Sequence, residues 1–339
     1  MATIWSAQTG IWSDPTTWVG GVVPDPWDDD VVIASGHNVV ILPSYYVGIA
    51  NGHMLTVQSG ALLVVVGGLD VFYYASLEVQ GELVVIAGCS IYVYDDGYAT
   101  IDGGAIASIE GYFDLDYYAY LNIYGQMTVE ASGWLSAWYD AYVYVNGGVL
   151  SVYGHFDLAD YGYMDLYGAV FSVESGGVAE IGGYVYGYYY SGIYVYGELT
   201  VDSYGYIEAV YSSEITCESS GLMSVEGYLL VADGGSCRVQ GPVTLKRSSG
   251  FDAYYWGYLS VESGGLVDAF GYMGIHYDAM LSVNYGGEMR VYRNIDISGQ
   301  MYGGGKILML RREGQIRDGD GNDLFKLNQA YGFGQQRIA

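Results

Sequence analysis

The chain has 339 residues, among them 52 Gly, 39 Tyr and only 5 Pro, and its formal net charge is −27. No Lys or Arg precedes Arg238: the first 237 residues hold 28 acids and no basic side chain (0 − 28 = −28), whereas residues 238–339 hold 11 basic and 10 acidic ones (11 − 10 = +1). So acidic a chain repels nucleic acid and anionic lipid, no apolar run of about 18 residues offers a membrane span, and Cys89, Cys217 and Cys237 form neither a disulfide framework nor a metal spacing.

Residues 1–44 stand apart from the rest, with no Tyr, four of the seven Trp and four of the five Pro. Met1-Ala-Thr-Ile-Trp-Ser has no basic start and no long apolar core, so it does not read as a Sec signal peptide. Trp5, Trp12, Trp18 and Trp27 are large enough to plug the open end of a repeat structure, and Asp14 before Pro15 suits a turn. His37 has no partner nearby in sequence and reads as structural.

The run Trp12-Ser-Asp-Pro-Thr-Thr-Trp18, the turn Gly20-Gly-Val-Val-Pro24, then Asp29-Asp-Val-Val-Ile33 and Gly36-His-Asn-Val-Val-Ile41 resemble the opening of a G8 domain. The resemblance covers residues 1–44 and implies an N-terminal cap leading into a β-solenoid, as in extracellular proteins and in structural proteins of phage particles. It carries no catalytic residue with it.

Residues 45–302 repeat. Leu55-Thr-Val-Gln-Ser-Gly, Leu77-Glu-Val-Gln-Gly, Ala99-Thr-Ile-Asp-Gly, Leu121-Asn-Ile-Tyr-Gly and Val143-Tyr-Val-Asn-Gly start 22 residues apart, and so do the units at Phe171, Ile193, Ile215, Cys237, Leu259 and Leu281. A fixed period of this size marks a solenoid. Apolar residues alternate with outward ones, then Gly breaks the strand, supplying the positive φ of a tight corner. Three strands with corners fit in 22 residues, so the expected fold is an all-β, single-stranded parallel β-helix of roughly eleven rungs from Leu55 to Met301, on the order of 50 Å long. Right-handedness is the expectation from the preferred hand of parallel crossovers. The step from Val143 to Phe171 is 28 residues rather than 22, which predicts a coil near 150–164 with about six extra residues. Cys217 and Cys237 occupy strand positions where other units carry Leu, Ile or Val, and read as buried apolar residues.

Residues 45–302 also hold 38 of the 39 Tyr. Tyr117, Tyr118 and Tyr120, then Tyr186, Tyr188 and Tyr190, Tyr194 and Tyr196, and Tyr254, Tyr255 and Trp256 are the densest groups. In Tyr194-Val195-Tyr196 the Val face belongs inside, so the tyrosines face out and stack into ladders from rung to rung. Two readings stay open. One is strand propensity and cross-strand pairing. The other is a contact surface for sugars or subunits, since Tyr offers area, rigidity and a hydroxyl.

Residues 303–339 leave the repeat and read as a C-terminal cap or anchor, with Arg311 and Arg312 as a basic docking end. Asp318, Asp320 and Asn322 resemble the first half of a calcium loop, but Leu327 and Asn328 stand where the bidentate Glu belongs, so an acidic turn is expected. Carboxylate pairs such as Asp114 with Asp116, Asp157 with Asp160, or Asp95 with Asp96 could serve glycoside cleavage. No nucleophile motif, phosphate loop or metal cluster accompanies them, and no cofactor is expected.

These features suggest a non-enzymatic structural protein of a phage virion, a spike, fibre or decoration whose Tyr-rich faces meet host glycans, other virion or surface proteins, or its own copies. The resemblance implies a homotrimer. The alternative is a self-assembling extracellular filament or surface-layer subunit, the acidic part of one copy meeting the near-neutral end of the next; a polysaccharide-cleaving tailspike is a third reading. The acid bias fits either solubility or life in a protease-rich setting, because residues 1–237 offer trypsin no site.

Overall fold

The computed structural model describes residues 2–159, 161–293, 295–309 and 316–317. It is all-β: three parallel sheets form a solenoid of about 13 turns with a rung spacing of about 22 residues. The count exceeds the eleven rungs between Leu55 and Met301 because residues 1–44 contribute strands of their own. Thr3–Trp5 pairs with Asp30–Ile33 in the first sheet, and Gly10–Ile11 with Asn38–Ile41 in the second.

Backbone contacts divide the chain into two units. One reaches Asp165 and takes in Ala169–Phe171; the other holds Leu166–Gly168 and the chain from Ser172. In the first unit the 22-residue period is the strand register: Leu55, Leu77, Ala99, Leu121 and Val143 are successive partners in the first sheet, all buried. In the second unit the same motif lies in the second sheet, where Ile193, Ile215, Cys237, Leu259 and Leu281 are successive partners, also buried. Cys217 and Cys237 are buried free thiols, and burial pushes them up to about 11 and about 12.

The expected enlarged coil is absent. Tyr142–Asn146, Val149–Val152, His155–Leu158, Tyr163–Tyr167 and Val170–Val173 follow one another at ordinary spacing. What changes over this stretch is the strand that carries the motif, so the 28-residue step is one rung plus one further strand.

Glycine's role also differs from the expectation at many corners. At the two-residue corner before Glu82–Val85, a Cβ on Gly81 would lie 2.3 Å from the Ala61 carbonyl oxygen and 2.4 Å from that of Gln58. Gly227 is equivalent in the second unit, 2.1 Å from Gly205 O and 2.3 Å from Asp202 O. Glycine is needed there for close backbone approach, not for positive φ. A large share of the left-handed corner positions belongs instead to Tyr, Asp and Trp.

Candidate functional site

In the first unit, the corner from the third sheet to the first is a column of residue pairs with positive φ. Tyr73 and Tyr74 stand at 52° and 63°, Asp95 and Asp96 at 49° and 61°, Tyr117 and Tyr118 at 45° and 62°, and Tyr139 and Asp140 at 47° and 59°. Bulky side chains disfavour this region by about 1–2 kcal/mol per residue. Stacked peptide groups hold them: Tyr73 N–H donates to Asp95 O at 3.1 Å, Asp96 N–H to Tyr117 O at 3.2 Å, and Tyr118 N–H to Tyr139 O at 3.3 Å. The rings therefore project outward from a hydrogen-bonded edge, with Tyr117 stacked on Tyr139 at 5.2 Å. Tyr120 is different. It opens the strand Tyr120–Ile123 and is half-buried in a second ladder, Tyr98–Tyr120–Tyr142–Tyr163, with ring spacings of 4.9, 5.0 and 5.2 Å.

In the second unit the left-handed column lies at the corner from the first sheet to the second. It comprises Tyr189–Tyr190, Tyr211–Ser212, Asp233–Gly234, Tyr255–Trp256 and Tyr277. Tyr190 is 80 % exposed and Trp256 70 %. Tyr189 stacks on Tyr211 at 5.3 Å and Tyr255 on Tyr277 at 5.4 Å.

Of the other tyrosines singled out in this unit, Tyr186, Tyr188 and Tyr194 are strand residues, whereas Tyr196 and Tyr254 directly follow strands. Tyr186 and Tyr188 lie half-buried along Tyr184–Tyr188, their rings 6.1 Å apart. Tyr194 donates to Glu214; that bond and burial push its hydroxyl up to about 12. Burial raises Tyr196 and Tyr254 above the ordinary phenol value. Tyr254 stacks on His276 at 4.4 Å.

That histidine belongs to a cluster the sequence did not suggest. His276 Nε2 lies 2.8 Å from Asp252 Oδ1, Tyr228 donates to Asp252 Oδ2, and Tyr272 Oη is 3.3 Å from His276 Nε2. Burial is the first cause of the upward shift of both phenols, Tyr272 reaching about 12. The cluster needs Gly274, whose Cβ would lie 2.1 Å from Asp252 Oδ1 and 2.2 Å from His276 Nε2. Only strand register reveals it, because Tyr228, Asp252 and the Tyr272–His276 pair are 20 or more residues apart in sequence.

The anticipated carboxylate pairs are mostly engaged locally. Asp114 accepts from Ser136 Oγ, and burial raises it. Asp116 accepts from the Tyr117 N–H at 3.0 Å and is also raised by burial. Asp95 and Asp96 form a corner, and Asp160 lies outside the described residues. Asp70, not anticipated, is 7 % exposed; burial pushes it up to about 6, and its Oδ1 has no hydrogen-bond partner.

The four N-terminal tryptophans have separate placements. Trp12 and Trp18 are buried edge to face at 4.9 Å, and Trp18 Nε1 donates to Trp12 O at 2.7 Å. Trp5 and Trp27 are exposed, Trp27 meeting Phe72 edge-on at 5.2 Å. Asp14 caps a short 3-10 turn, Pro15–Thr17, by accepting from Thr16 N–H at 2.8 Å. His37 Nδ1 lies 2.8 Å from Ser6 Oγ. Arg311, Arg312, Asp318, Asp320 and Asn322 lie outside the described residues. Among the described residues no group of three or more His, Cys, Asp and Glu could hold a metal ion, and no helix is long and apolar enough to cross a membrane.

No protein-family model matches the chain, and no curated protein does. Among solved structures it is similar to a hyper-glycosylated fragment of TibA, residues 55–350, whose glycosylation TibC catalysed. Identity is 18 %, 89 % of this chain and 97 % of that one are covered, and the TM-score is 0.28. A TM-score that low carries no information on function.

Proposed function

We propose that the chain is a non-enzymatic structural and adhesive protein, a β-solenoid spike, fibre or decoration on a phage virion, which meets host glycans through its aromatic corners. The observation that carries this reading is the left-handed Tyr–Tyr and Tyr–Trp corner. Tyr189, Tyr190, Tyr255 and Trp256 are exposed yet fixed at the backbone. Rigid aromatic area binds with little loss of conformational freedom, and ring faces suit the flat apolar faces of sugars. The G8-like opening supports the virion setting. Asp114, half-buried, and Asp252, buried, already accept bonds from their own neighbours.

The test is a glycan array read with the full chain, followed by affinity measurement on the best ligand. Replacing Tyr190 and Trp256 together by Ser is expected to weaken binding at least about tenfold, as for loss of a central aromatic contact. Tyr186 and Tyr188 are left in place because they pack within their strand. Unchanged affinity in the double variant would remove the corners as the contact surface.

A further inference from the structure

The third sheet of the first unit presents a second feature, centred on Asp70. Asp70 points away from the core of its strand Gly68–Phe72, since Leu69 and Val71 fill the inside, yet it is covered. Its cross-strand neighbours in register are Gly48 on one side and Tyr92 on the other. Two glycines beside it let aromatic rings close in. The place of a Cβ on Gly48 is closed over by Trp27 Nε1 at 3.3 Å and Phe72 Cε1 at 3.4 Å. That of a Cβ on Gly68 is filled by the Tyr46 ring at 2.7 Å. Phe72 and Tyr94 stack in parallel at 5.0 Å. Tyr94 Oη donates to Asp70 Oδ2 at 3.3 Å, while Oδ1 is buried without a partner.

We propose that this aromatic enclosure around Asp70 is a binding site for a primary alkylammonium group, the group that ends a lysine side chain. An ammonium gives Oδ1 the donor it lacks, in surroundings that the Trp27, Phe72 and Tyr94 rings keep from water. Guanidinium fits less well, because its planar fork binds both carboxylate oxygens and Oδ2 is already taken by Tyr94. A hard metal ion fits less well still, since it needs several oxygen ligands and this site offers one carboxylate. The chain cannot fill the site from nearby in its own sequence, because no Lys or Arg precedes Arg238.

The ligand requires the carboxylate form. Burial holds the Asp70 carboxyl at about 6, with the Tyr94 bond opposing the shift. The groups facing it are Tyr46 on one neighbouring strand and Tyr92 and Tyr94 on the other, with Asp95 beyond Tyr94. Tyr92 and Tyr94 are both raised, Tyr94 to about 12, so neither titrates near the carboxyl. About one tenth of Asp70 is ionised at pH 5 and nearly all at pH 7.5, which makes affinity about tenfold weaker at the lower pH.

The experiment titrates the full chain with n-butylammonium chloride at constant ionic strength, followed by calorimetry, with sodium chloride as the blank. Saturable binding is expected at pH 7.5, about tenfold weaker at pH 5. Asp70→Asn should weaken it at least tenfold. Trp27→Leu, at an exposed position that leaves the carboxylate intact, should weaken it several-fold. A lysine peptide should compete, and an arginine peptide should compete less well. Absence of saturable binding, or equal affinity in the wild type and the Asp70→Asn chain at unchanged thermal stability, overturns the proposal. The corner variant Tyr190→Ser with Trp256→Ser should keep ammonium binding, which separates this site from the corners.

Discussion

Tyr118 illustrates what a corner residue does here. Its φ is 62°, its side chain is exposed, and its N–H is tied to Tyr139 O at 3.3 Å. Ala keeps the Cβ that crowds the left-handed region, while Gly removes it. Tyr118→Ala is therefore expected to unfold at lower urea than Tyr118→Gly, with a difference of about 1 kcal/mol. Equal midpoints for the two variants would mean that the corner imposes no strain and that Tyr118 stays there for its ring alone. The sequence did not disclose this. Tyr has high strand propensity, so Tyr117-Tyr118 reads as strand; only the equivalent placement of Asn51-Gly52 and Asp95-Asp96, 66 and 22 residues earlier, marks the position as a turn. Asp70 was hidden for a related reason, since burial of an outward strand position depends on what neighbouring rungs lay across it, here Trp27 and Tyr46.

At the scale of the rung, strand pattern and period were legible because burial follows them directly. In Glu82–Val85, Leu83 and Val85 are buried and Glu82 is exposed, as alternation requires. The corners were legible only in part. Gly81 and Gly103 look alike as corner glycines, yet a Cβ on Gly81 meets two carbonyl oxygens, and one on Gly103 meets nothing within 4 Å. Neither has a positive φ. Gly81→Ala should lower stability by about 2–4 kcal/mol, because the short corner must open. Gly103→Ala should change it by no more than about 0.5 kcal/mol. Chemical denaturation of the two variants separates close approach from conformational freedom as the reason for glycine; a similar loss in both would contradict the distinction. The 28-residue step was misread as an insertion for a simple reason. Period counting registers a delay but cannot say whether a loop has grown or the motif has moved to another strand.

Across the whole molecule, the asymmetry of charge sets an expectation for how copies meet. A head-to-tail filament held by charge needs basic groups free to meet the next copy's acids. Several of the described ones are already engaged: Lys246 with Glu226, Lys306 with Glu288 at 3.0 Å, and Arg290 with Glu288 at 2.7 Å. The remaining contrast, −28 against +1 over residues 1–237 and 238–339, sets strong mutual repulsion against almost no attraction. The screening length falls from about 10 Å at 0.1 M salt to about 3 Å at 1 M. Salt should therefore weaken repulsion between copies more than any attraction. Sedimentation at 0.05 M and 1 M sodium chloride is expected to find discrete species at low salt, and equal or larger ones at high salt as aromatic corners come into reach of one another. Filaments at low salt that dissolve at high salt would reverse this, and would make the charge-paired polymer, rather than the displayed spike, the better account of the chain.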